Sequence, residues 1–159
     1  MDTASLPSLL QSADNAREAI IALRTIAENN SRYYTTATPP TEFGTDSKPK
    51  ITFIDGDGVL GPDGGAGLLV VTGTLTMDGN AAFKGLVLVF GQGELIRHGG
   101  GNGSTLGSIL VAKFGTSGDF LAPTLTTDGG GTSKVQYDSA WVRRALASPG
   151  PRVVAIGEF

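Results

Sequence analysis

Between Ser8 and Arg32 the apolar residues Leu9, Ala13, Ala16, Ile20, Leu23 and Ala27 recur at steps of three and four, with Gln11, Asn15, Arg17, Glu18, Arg24 and Glu28 mostly between them. That spacing predicts an amphipathic helix over 8–32. Further along, the period changes. The runs ITFID (51–55), LLVVT (68–72), LVLVF (86–90) and ILVAK (109–113) start 17, 18 and 23 residues apart. Successive positions within them are apolar, as in strands buried on both faces, whereas a meander of hairpins would alternate apolar with polar.

The first three runs end directly on Gly56, Gly73 and Gly91, and each is followed by a second short strand pattern: GVL (58–60), TLTM (74–77) or ELIR (94–97). A turn comes next, and a third short run, AAFK (81–84) or STL (104–106), closes each of the two later units. A unit of short strands and tight corners at this period is one coil of a stacked repeat, which gains a core only from its neighbours. The predicted fold is therefore mainly β: a short right-handed β-helix-like solenoid of about three to four rungs over 51–114. Gly56, Gly73, Asn80, Gly85, Gly91, Asn102 and Gly107 are its expected corners. Strands buried on both faces need a cover outside the wall, and the N-terminal helix is the candidate.

The remaining segments flank this repeat within one domain, 1–159. Residues 35–50, rich in proline and hydroxyl side chains, read as an extended connector, and 115–137 as a loop with a strand near Leu125. Asp138 suits an N-cap for a short helix over 138–148, with Trp141, Val142, Ala145 and Leu146 as its apolar face, and 152–157 reads as a closing strand.

Composition narrows the classes of function. A formal charge of −3 gives no basic footprint for nucleic acid or an anionic membrane. The absence of cysteine removes disulfides, thiolate metal sites and cysteine nucleophiles. No run approaches the roughly 20 apolar residues of a membrane span, and MDTASLPSLL lacks the features of a signal peptide. No membrane contact is therefore expected from this chain itself.

Candidate chemistry concentrates in two stretches. HGGGNGSTLG (98–107) holds the lone histidine and several glycines, but the chain has no Gly-Lys-Ser/Thr, and the spacing Gly101, Gly103, Gly107 misses the dinucleotide fingerprint. His98 has Ser104 and Ser108 near it in sequence without a nucleophile elbow or an assignable acid, so the stretch reads as an enlarged corner. DGDGVLGPDGG (55–65) opens like a calcium loop, making Asp55, Asp57 and Asp63 a weak candidate metal site; it departs from the EF-hand pattern at Leu60, where glycine is required. No catalytic residue and no cofactor other than that calcium ion is expected.

The run 51–93 is similar to a segment of PilX-like type IV pilus assembly proteins and related bacterial surface proteins. The resemblance lies in Asp55-Gly56-Asp57, Gly65, Gly67, Leu69-Val70-Val71, Gly73, Leu75, Gly79-Asn80, Phe83 and Gly85-Leu86-Val87-Leu88-Val89, then Gly101-Asn102-Gly103 and Gly107. The ending VQYDSAWVRRAL also resembles that family's closing segment. The resemblance implies a non-enzymatic structural or assembly role, with other pilus or cell-envelope proteins as partners. It implies export to the periplasm, cell surface or medium, anchored in a full-length form by a segment this chain does not contain. Two alternatives stand beside it: a carbohydrate-binding or carbohydrate-active β-helix, and a polymer-forming scaffold of bactofilin type.

Overall fold

The glycine-punctuated apolar runs become parallel strands stacked in two ladders. A computed structural model describes residues 13–78, 80–98, 104–114, 120–128 and 134–147. Helix α1 (Ala13–Asn29) comes first, then β1 (Tyr33–Thr35), β2 (Lys50–Asp55), β3 (Gly58–Leu60), β4 (Gly65–Val71), β5 (Thr74–Met77) and β6 (Phe83–Gly91). After these come β7 (Glu94–His98), β8 (Ser104–Phe114), β9 (Phe120–Leu121), β10 (Thr124–Asp128), β11 (Lys134–Tyr137) and helix α2 (Ser139–Ala147). The first sheet runs β1-β2-β4-β6-β8-β11 with β9 antiparallel beside β8, and the second runs β3-β5-β7-β10, its pairings all parallel. The chain is a β-solenoid of about four turns with a helix at each end region. The expected 152–157 strand and the start of the 8–32 helix lie outside the described residues.

Parallel register places like on like. Inside the coil, Ile54 stacks on Val71, Val89 and Val111. Leu60, Leu69, Leu75, Met77, Phe83, Val87 and Leu95 complete that interior core. The opposite face of the first sheet carries Ile51, Phe53, Leu68, Val70, Leu86, Leu88 and Phe90, packed against Ala16, Leu23, Ile26 and Ala27 of α1 and Ala145 of α2. The expected cover is thus present, and α2 shares it. Two cores, one on each side of a single wall, explain why its strands are apolar at every position.

Two expectations are corrected by the strands themselves. The third short run of each unit is not a separate strand: it joins the next long strand, so β6 and β8 each continue through a bend. The bends are made by Gly67, Gly85 and Gly107, which stack in register with φ of 125°, 139° and 133°. At each, a Cβ would run into a carbonyl oxygen of the preceding rung: Lys50 for Gly67, Gly67 for Gly85 and Gly85 for Gly107. Only glycine combines that backbone angle with that approach. Gly85 and Gly107 are therefore bends within strands, while Gly56, Gly73 and Gly91 stand where the first sheet turns into the second, and Asn80 lies in the turn before β6. Asn102 lies outside the described residues.

The same column shifts the fourth rung by one residue. Gly107 pairs with Gly85, so Ser108 and not Ile109 stacks on Leu86, and Ile109 follows Val87 into the coil. Glycine geometry sets the register, and the apolar runs follow it.

Candidate interaction surfaces

A solenoid buries its rungs against each other and leaves two ends whose strand edges and interior apolar residues need a cap or a partner. The two ends of this molecule are built differently.

The N-terminal end is closed by a polar plug. Helix α1 finishes in a Schellman motif: Arg32 N–H donates to Ala27 O (2.8 Å) and Ser31 N–H to Glu28 O (3.1 Å), with Ser31 at φ 57°. This turn delivers Arg32 onto the first rung. Its Nε donates to Ile51 O (3.1 Å), Nη1 to Tyr34 Oη (2.9 Å) and Glu42 Oε1 (2.7 Å), and Nη2 to Glu42 O (3.0 Å) and Thr52 Oγ1 (2.8 Å). All five guanidinium donors are used. Thr52, a buried polar residue, occupies the position that Leu69, Val87 and Ile109 hold in later rungs. Glu42 also accepts from Lys50 Nζ (3.0 Å) and the Gly44 amide (2.6 Å). Burial pushes its carboxyl up, but those two hydrogen bonds and the charges of Arg32 and Lys50 outweigh it and hold the pKa below the usual value.

Among the described residues the C-terminal end is apolar and uncovered. Beyond β8, the described pairings reach only Ser104–Gly107, through β11, and Lys113–Phe114, through β9. No described strand covers the far side of Ser108–Ala112. Ile109 and Val111, which point into the coil, are only partly buried, unlike Val87 and Val89 beneath them. Leu125 continues the interior column of Leu75 and Leu95, yet is 66% exposed. Leu121 on β9 is 48% exposed and Tyr137 on β11 56%. The sequence places a strand near Leu125 and Tyr137 in the VQYDSAWVRRAL segment, but marks none of Leu121, Leu125 and Tyr137 as exposed. The available signal was the Thr-Leu-Thr of 124–126, which repeats 74–76 and so marks a further second-sheet strand.

The acidic corner is a structural junction. Asp55 Oδ2 accepts from Tyr33 Oη (2.7 Å) and Oδ1 from Thr72 Oγ1 (3.0 Å), with Arg24 Nη1 at 3.5 Å. The Tyr33 hydrogen bond is the main reason the Asp55 pKa is held low, and the Tyr33 hydroxyl is raised in turn. Asp57 Oδ1 accepts from the Thr74 amide (2.8 Å). Asp63 lies in the turn beyond β3, apart from both. Among the described residues no group of three His, Cys, Asp or Glu side chains converges as a metal site.

The remaining candidates are dispersed. His98 ends β7 in the second sheet, whereas Ser104 and Ser108 belong to β8 in the first. Glu94 accepts from Thr74 Oγ1 (2.8 Å), and Phe83 and Phe90 are buried in the two cores, leaving neither ring free to stack on a sugar. Among the described residues no helix is long and apolar enough to cross a membrane. No protein-family model, curated protein or solved structure matches this chain.

Proposed function

We propose that this chain is a non-enzymatic structural or assembly component of a bacterial type IV pilus or cell surface, acting through protein–protein contacts made by the C-terminal end of its solenoid. The observation that carries the contact surface is the edge of β8 over Ser108–Ala112, which no described strand pairs, together with exposed Leu121, Leu125 and Tyr137 on the strands that follow β8. An apolar strand edge is a template for a partner's strand, and clustered exposed apolar residues mark interaction sites. The pilus or envelope setting rests on the PilX-like pattern of 51–107. A bactofilin-type polymer needs both ends to stack, and the Arg32–Glu42 plug closes one of them.

A photo-crosslinking residue at Leu125 or Tyr137, compared with one at Ser47 in the N-terminal loop, tests this reading in cells that make the protein. Discrete adducts with envelope or pilus proteins are expected from the first two positions only. Equal labelling from Ser47, or no adduct from Leu125 and Tyr137, overturns it.

A further inference from the structure

The second sheet ends one strand short at its other edge. In the first sheet β1 adds a strand beyond β2, but in the second sheet β3 is the last described strand, with no described strand at the level of β1. The chain there passes as Thr36–Glu42 and contains Pro39-Pro40. A cavity of about 320 Å³, at the small end of ligand sites, lies between this arm and the sheet, lined by Thr36, Pro39, Pro40, Asp57, Val59 and Thr76 among others.

The backbone of β3 shows what the slot recognises. Gly56 O accepts from Gly73 N–H (2.8 Å) and Leu60 O from Asp78 N–H (2.9 Å), so the residues of this parity face β5. The intervening residues face the slot. At Asp57 both backbone groups are taken by the Thr36 hydroxyl, which accepts from Asp57 N–H (2.7 Å) and donates to Asp57 O (3.0 Å). Two residues on, Val59 points the same way, and no described residue pairs with its N–H or C=O. Its side chain is 65% exposed.

We infer that this slot is a docking site for one extended segment of another polypeptide, free of acidic side chains, which pairs with the Val59 backbone and extends the second sheet by a strand. The recognition groups are an amide and a carbonyl in strand geometry, which address a peptide backbone. The lining is hydroxyl, proline and aliphatic apart from one carboxylate, Asp57, which accepts from the Thr74 amide and repels an acidic segment. The slot is recessed: β1 and the Arg32–Glu42 plug stand one strand spacing, about 4.8 Å, beyond β3. A folded end of a second copy meets that rim first, whereas a single strand fits behind it. This inference is independent of the C-terminal surface.

The test uses the intact chain and the capped hexapeptide TGTLTM, which repeats residues 72–77 and contains the strand already paired with β3. In the free protein the Val59 amide should exchange with solvent at nearly the unprotected rate. Peptide at millimolar concentration should slow that exchange about tenfold or more, with NMR shift changes confined to 36–40 and 57–60. The substitution Val59→Pro, placed at a sheet edge where proline is tolerated, should abolish these shifts, and a hexapeptide with proline replacing its leucine should fail on the unaltered protein. Protection of Val59 in the free protein overturns the inference, because the chain or a second copy then already fills the slot. Absence of binding, shifts mapping to β8 and β10, or undiminished binding of the proline peptide also overturns it.

Discussion

The first and last rungs share a backbone plan and differ in what meets the missing neighbour. At the first, the interior column ends in Thr52, and Arg32 brings five hydrogen bonds to it, to Glu42, to Tyr34 and to the Ile51 carbonyl. At the last, the column ends in Leu125 and in half-covered Ile109 and Val111. A polar plug ends a repeat, because another apolar rung stacked on Arg32 would strand a charge. An apolar end invites continuation. The contrast assigns self-closure to the first-sheet edge of one end, beside which the slot at β3 admits a single strand, and a wider apolar contact surface to the other.

The largest effect should come from the element both ends depend on. Gly85→Ala puts a methyl group against the Gly67 carbonyl at a φ of 139° and should cost about 4 kcal/mol or more. Chemical denaturation should show it, and a loss under about 1 kcal/mol would show that the glycine column does not set the register.

Next in size is the plug. Arg32→Ala removes a donor from Glu42, Thr52 and the Ile51 carbonyl and should cost about 2–3 kcal/mol. Amide exchange should rise in β1 and β2 before β8.

Acid sharpens the same contrast. Glu42 and Asp55, both near the first rung, have folded-state pKa values below their ordinary ones. Depressed carboxylates contribute stability that is fully present above their unfolded-state pKa and is lost as pH falls through the folded-state value. Thermal stability should therefore be flat from pH 7 to about 5 and drop below about 4. The loss should be about 1 kcal/mol, since both groups are partly exposed. Glu42→Gln should reduce that dependence.

A gain of about 1 kcal/mol should follow Ser31→Gly, which relieves the left-handed backbone at the Schellman turn and leaves Arg32 in place. The smallest effect belongs to the open end. Leu125→Ser removes an already exposed side chain, so the melting of the purified protein should change by no more than about 0.5 kcal/mol. Crosslinking at Tyr137 should nevertheless fall.

The solenoid was legible because its geometry forces letters at fixed positions: Gly56, Gly73 and Gly91 mark the corner after each long strand, and the apolar runs mark a wall buried on both faces. The register of the fourth rung was less so. Aligning Ile109 with Leu86 follows hydrophobicity, whereas the structure aligns Gly107 with Gly85. Strand β1 escaped notice because Tyr33–Thr35 is three residues long and follows directly on a helix, with no period of its own. The contrast between the ends was not legible either. Arg32 meets Glu42 and Thr52 across 10 and 20 residues of sequence. Leu125 sits in the same Thr-Leu-Thr as Leu75, and only the absence of a described strand beyond β10 makes one exposed and the other buried.

Residue-resolved amide exchange on the purified, intact protein is the most direct test of that contrast. Ladder amides of β2 and β4, under the plug, should exchange at least about 100-fold more slowly than those of Ser108–Ala112 and Thr124–Thr126 at the open end. Equal protection at the two ends would show that the C-terminal end is closed in the isolated chain, and would contradict its assignment as the surface that meets partners.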